Sequence, residues 1–192
     1  MRRLMGYHSS ERGKRMSDKF EDVAQRIRTY WTEVFPVERG LRSTGIIEIP
    51  DGDVSYFEDF LKSRNLSYIM ITAGALNQER KKRGQDPLRD YYAENLFYIG
   101  DEMRKVKTLI ECDYNNDFFC VGMMLGYPDC CVASILQRGT ESVDIQKLKG
   151  KFIMISHIPC SENCQRSAEY DQRLQNDKAA FLKEKAAEAG AG

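Results

Sequence analysis

The chain predicts an α+β fold, a single domain with a small mixed sheet flanked by helices, and three observations predict it. Short apolar runs bounded by turn residues, such as Gly45–Ile49 and Leu66–Thr72, have strand character. Longer segments carry apolar residues at helical spacing, as Phe20, Val23, Ala24 and Ile27 do. The length of 192 residues suits one domain with a real core, and 42% apolar against 30% charged residues is ordinary for a folded chain.

Twenty-nine basic side chains balance 29 acidic ones, which excludes a strongly basic body built to coat nucleic acid. No apolar run is long enough to span a membrane. The first residues, Met1-Arg2-Arg3-Leu4-Met5-Gly6-Tyr7, lack the apolar stretch of a secretion signal, so a cytoplasmic setting with mostly reduced cysteines is expected.

Residues 1–16 read as a flexible basic arm, with His8 in it lacking an identifiable partner. The domain then covers 17–188, with no internal repeat or boundary, and 189–192 form a disordered tail. The first helix runs from a cap at Ser17 or Asp18 to Val34, where Pro36 is expected to end it. Strand Gly45–Ile49 stops at Pro50-Asp51-Gly52, and a helix capped by Asp53 runs to about Lys62. Strand Leu66–Thr72 follows, so strand, helix and strand suggest a small βαβ unit. No glycine-rich phosphate loop joins it, and it is no evidence for a nucleotide.

Glu79–Pro87 reads as an exposed loop or helix end holding the one dense basic cluster, Arg80-Lys81-Lys82-Arg83. A third strand, Leu96–Ile99, precedes a helix from Asp101 with Met103, Val106, Leu109 and Ile110 on one side. Helices are expected at Phe118–Leu125 and Asp129–Leu136, a last strand at Lys151–Ser156, and a long helix from about Ser161 to Ala187.

Four of the six cysteines form two tight groups, Cys130-Cys131 and Cys160 with Cys164. Each group lies where a helix is expected to begin, and free amide N–H groups with the helix dipole favour the thiolates that metals need. Pro128 and Pro159 fix the backbone just ahead of them. Cys160 and Cys164 are four apart and share a helical face, with His157 close enough to add a nitrogen. Adjacent Cys130 and Cys131 diverge on regular backbone, so only one faces a shared ion unless the turn is unusual. Cys112 and Cys120 read as free core thiols.

Three or four sulfurs suit either zinc or an iron–sulfur cluster. The spacing is neither the paired C-x-x-C of a zinc ribbon nor a ferredoxin run. A metal-free thiol pair exchanging between the two groups is the other chemistry open to these residues. No G-x-S-x-G, H-E-x-x-H or Walker sequence is present, and a Cys–His dyad is open only between His157 and Cys130 or Cys131.

The segments Gly126-Tyr127-Pro128-Asp129-Cys130-Cys131-Val132 and His157-Ile158-Pro159-Cys160-Ser161-Glu162-Asn163-Cys164, with Ser167, resemble a prokaryotic domain family of unknown function. Its hallmarks are G-Y-P-x-C-C-V followed by H-x-P-C-S-x-x-C-x-x-S, and the likeness covers about Phe97 to Ser167. The resemblance implies one site within 126–167 and a prokaryotic, cytosolic setting, but no activity.

The expectation is therefore a cysteine-ligated centre, iron–sulfur or zinc, held by Cys130, Cys131, Cys160 and Cys164 with His157 at its edge. An open centre would serve sulfur or redox chemistry as an enzyme or accessory. A closed one would be a staple in a binding module, with nucleic acid a candidate partner for the basic loop 80–83.

Overall fold

The computed structural model describes residues 29–86, 95–138, 151–152 and 154–190. The expected basic arm, its His8, and most of the first helix lie outside these residues, as do Pro87 and the last two residues of the expected tail.

Two apolar faces on one strand organise the fold. Strand β3 (Asn95–Gly100) is buried along its whole length, with β1 (Thr44–Ile49) on one edge and β2 (Ser67–Thr72) on the other. Both pairings are antiparallel, Thr44 and Ser67 each facing Gly100, so β1 and β2 run the same way with β3 against them. Side chains alternate across a strand. Phe97 and Ile99 enter one core, and Leu96 and Tyr98 enter the other. The α+β fold holds, but the expected βαβ unit is split: β3 occupies the place between β1 and β2 that a simple crossover would leave closed.

The first core joins Ile47 and Ile49 to Tyr30, Val34 and Phe35, to helix α2 (Val54–Ser63) through Phe57, Phe60 and Leu61, and to Phe181. Tyr30–Val34 is a π-helical turn running into helix α1 (Phe35–Glu38). Pro36 therefore does not end the helix as expected. It sits in the first turn of α1, where a proline's missing N–H breaks no helical bond. Asp53 does precede α2, after a 3-10 turn at Asp51–Asp53, although its side chain caps nothing.

The second core packs helix α3 (Ala73–Lys82) through Leu76 and helix α4 (Met103–Tyr114) through Val106, Leu109 and Ile110. α3 realises the helix-end alternative for the start of Glu79–Pro87, and Thr72 starts it by accepting a hydrogen bond from the Ala75 amide at 3.2 Å. The basic cluster is accordingly its last turn. Arg80 is buried, and its Nε donates to the Asp86 carbonyl at 3.0 Å. Arg83 bonds Glu79 and Asn115 and covers the Tyr114 ring. Two of the four cations thus serve the fold, and the free basic loop expected at 80–83 does not form.

α4 hands over to helix α5 (Phe118–Met124) through Asn116, at φ 54°, and Asp117, whose side chain accepts from the Cys120 amide. That tight reversal sets the Cα atoms of Cys112 and Cys120 5.8 Å apart, within disulfide range, and they are bonded rather than free. Helix α6 (Asp129–Arg138) follows. The strand expected at Lys151–Ser156 is not formed among the described residues. The Met154 amide donates instead to the Asp171 carboxylate at 2.6 Å, so its hydrogen bond goes to a helix and not to a strand neighbour. Asp171 belongs to helix α7 (Gln165–Gly190), whose helical backbone runs two residues into the stretch read as a tail. No helix among the described residues is long and apolar enough to cross a membrane.

Candidate metal centre

The site is built where α6 and α7 begin. α5 ends in a turn with Gly126 at φ 71°, a left-handed conformation that glycine adopts without the strain of a Cβ. Arg42 Cβ lies 3.1 Å from where a Cβ on Gly126 would be. Tyr127 N–H returns to the Gly122 carbonyl, and Pro128 then offers its carbonyl to the amides of Cys131 and Val132. Both cysteines therefore sit in the first turn of α6. Their sulfurs stand only 3.9 Å apart, so the divergence expected of adjacent cysteines does not separate them.

The second segment arrives from His157. Pro159 is buried, and the Cys160 amide donates to Cys131 Sγ at 3.3 Å, docking this backbone on the first pair. Cys164 N–H bonds the Ser161 carbonyl, and Cys164 in turn accepts at its carbonyl from Ala168, one turn into α7. Cys164 Sγ then lies 3.6 Å from Cys131 Sγ and 3.9 Å from Cys130 Sγ. All four sulfurs are within 4.8 Å of one another, a group able to hold a metal ion. Cys131 and Cys164 are buried, and Cys130 and Cys160 are half-buried.

His157 is not one of this group. Its Nε2 is 2.9 Å from Ser167 Oγ, and that hydroxyl lies 3.2 Å from Cys131 Sγ and 3.3 Å from Cys164 Sγ. The imidazole thus reaches the cluster through a serine, as residues outside a coordination sphere orient those within it. Ser167 carries the connection, and its signal in the sequence was its place three residues after Cys164, which puts it on the same helical face. Burial drives the His157 pKa down to about 4 and keeps the ring neutral at ordinary pH.

The thiols differ. Burial pushes the Cys131 thiol up to about 12, and burial followed by its thiol neighbours also raises Cys160. Burial acts on Cys164 in the same sense, yet hydrogen bonds from the Ser167 hydroxyl and backbone amide and from Cys131 and Cys160 outweigh it. They hold Cys164 down at about 6. Of the low thiol pKa values expected at both helix starts, that of Cys164 is found, whereas those of Cys131 and Cys160 are raised instead. Without a cation Cys164 carries a thiolate beside the protonated thiols of Cys131 and Cys160, and a divalent ion would release those two protons.

Beside the cluster lies a second polar assembly. Tyr127 packs against His157 with ring centroids 5.0 Å apart and planes tilted by 37°, and its hydroxyl is 3.3 Å from Ser156 Oγ. Arg42 Nη1 donates to the same Ser156 oxygen at 3.4 Å, while Nη2 pairs with the Glu33 carboxylate and donates to the Glu33 carbonyl at 2.6 Å. Arg42 is buried, so this ion pair ties the turn before α6 to the first core. Asp129, at the start of α6, accepts from the Cys130 amide and pairs with Arg166 of α7, linking the two cysteine segments a second time.

No protein-family model, curated protein or solved structure matches the chain, so the reading of this site rests on its own geometry.

Proposed function

We propose that Cys130, Cys131, Cys160 and Cys164 bind a single zinc ion in a closed tetrathiolate centre that fastens the start of α6 to the start of α7. One observation carries this reading, the spacing of the sulfurs. Zinc–thiolate bonds of about 2.3 Å in a tetrahedron put the sulfurs about 3.8 Å apart. The separations of 3.6, 3.9 and 3.9 Å fit that edge. A cubane cluster interposes four irons and spreads its thiolates to roughly 6 Å, beyond the 4.8 Å limit of this group. Four protein sulfurs fill a tetrahedral ion, which favours a structural role over an open catalytic one. Thiol exchange without a metal is less well supported, because it needs only two sulfurs, whereas all four lie within 4.8 Å of one another. The function this supports is a zinc-stabilised scaffold that presents the surface formed by α5, α6 and residues 156–158. We also propose membership of the prokaryotic domain family whose two motifs the chain shares.

Metal analysis of anaerobically purified protein tests the reading. It expects colourless protein with one zinc per chain, lost in Cys131→Ala and Cys164→Ala. Brown protein carrying iron and acid-labile sulfide would overturn it, as would metal-free protein whose stability is indifferent to added zinc.

A further inference from the structure

A cavity of about 280 Å³ opens against the cysteine cluster, walled by α5, α6 and residues 156–158. Cys131 lies in its wall on the cluster side, and Tyr127, Ser156 and His157 supply its polar groups. The rest of the wall is apolar, and none of the lining residues is Asp, Glu, Lys or Arg. Phe118 and Leu136, both lining it, stay 54% and 48% exposed, so large apolar side chains border its open side. Isolated exposed apolar residues need no explanation, but two of them bordering a concave apolar wall have the character of a binding site.

We propose that this cavity binds a small uncharged molecule, one or two rings in size, whose single hydroxyl or carbonyl oxygen meets Ser156 and Tyr127. The size follows from the volume, since a cavity of about 150 Å³ accommodates benzene. The lack of charge follows from the wall: an ionised ligand would lose its hydration and gain no counter-charge. Buried His157 is neutral and offers none. The head group follows from the hydroxyls. Ser156 Oγ accepts from Arg42 Nη1, which leaves its own proton for Tyr127 Oη or for a ligand oxygen. A close approach of two helices shapes the wall. A Cβ on Gly122 of α5 would stand 2.6 Å from Val132 Cγ2 of α6, and both residues line the cavity. The proposal stands on the cavity and does not depend on which metal the cysteines hold.

The test is equilibrium dialysis of the full-length protein against 2-naphthol and, in parallel, 2-naphthoate, with metal content measured on the same samples. The expected result is saturable binding of one 2-naphthol per chain and affinity for 2-naphthoate at least about tenfold weaker. Ile135→Trp, which fills the cavity from a half-buried position, is expected to weaken 2-naphthol at least about tenfold with circular dichroism unchanged. Ile158→Phe repeats the filling from the opposite wall should Ile135→Trp not fold. Absence of saturable binding, equal binding of the carboxylate, or undiminished binding in a folded filled variant would overturn the proposal. So would dimerisation abolished by Leu136→Glu without any binding of 2-naphthol, which would make the face a protein interface. Saturable 2-naphthol binding by protein purified without any metal would still support the cavity, while the missing metal would overturn the zinc centre.

Discussion

Ser167 is a single hydroxyl shared by two cysteine sulfurs and one imidazole, and it does what no ligand does alone. Its proton can stabilise negative charge on Cys164, while His157 fixes where the oxygen sits. Removing an orienting group of this kind weakens metal binding without removing a ligand. Ser167→Ala should therefore keep zinc stoichiometry but lower zinc affinity between about tenfold and a hundredfold in competition with a chelator. Unchanged affinity would show that the hydroxyl is incidental. The pH dependence follows from the same residues. Cys164, held down at about 6, is ionised at neutral pH, whereas Cys131, at about 12, and the raised Cys160 must each surrender a proton to the solvent as the ion binds. Each proton released makes apparent affinity rise about tenfold per pH unit, so zinc affinity should climb about a hundredfold or more per unit between about pH 6.5 and 8.5. A dependence no steeper than tenfold per unit, measured by chelator competition across that range, would contradict this protonation pattern.

Helix packing sets where those residues stand. The contact of α5 with α6 depends on Gly122, where a methyl group would meet the β-branched side chain of Val132. Gly122→Ala should destabilise the protein by about 1–3 kcal/mol in urea unfolding, although alanine is the better helix former. Gly122→Ala with Val132→Ala should recover part of the packing loss, and the two effects should fail to add. Simple additivity would mean the close approach is not the cause. Elements are also where the sequence was most and least legible. Periodicity and turn residues revealed β1, α2, β2, β3 and α4 to within a few residues, because each depends on local pattern. Placement of β3 between β1 and β2 was hidden, since period-two alternation says which face is buried but not which edge pairs. The Lys151–Ser156 run has strand composition, yet an Asp171 carboxylate from a distant helix takes the Met154 amide. α3 was masked by its polar composition, with Thr72 as its one overlooked start signal. Convergence of the four cysteines was legible because each pair stood beside a proline and a helix start. The closeness of Cys130 to Cys131 was not, because it depends on how the first turn of α6 is docked by the Cys160 amide.

Across the molecule, the cluster lies outside both apolar cores, which are built on the two faces of the sheet. Removing the ion should consequently open the molecule locally before it unfolds globally. Hydrogen exchange of chelator-treated protein is expected to speed up in residues 154–164 and the first turn of α6 while β3 keeps its protection. Loss of protection throughout the sheet would show that the centre holds the whole fold and not a corner of it. Arg42 connects the two regions: Arg42→Met would leave the partly buried Glu33 without its partner, and that should cost about 1–3 kcal/mol of stability by urea unfolding. The zinc tetrathiolate is tested most directly by X-ray absorption on anaerobically purified protein at the zinc and iron edges. The expected spectrum shows one zinc surrounded by four sulfurs at about 2.3 Å, with no second metal nearby. Iron with iron neighbours, or zinc held by nitrogen and oxygen, would contradict it.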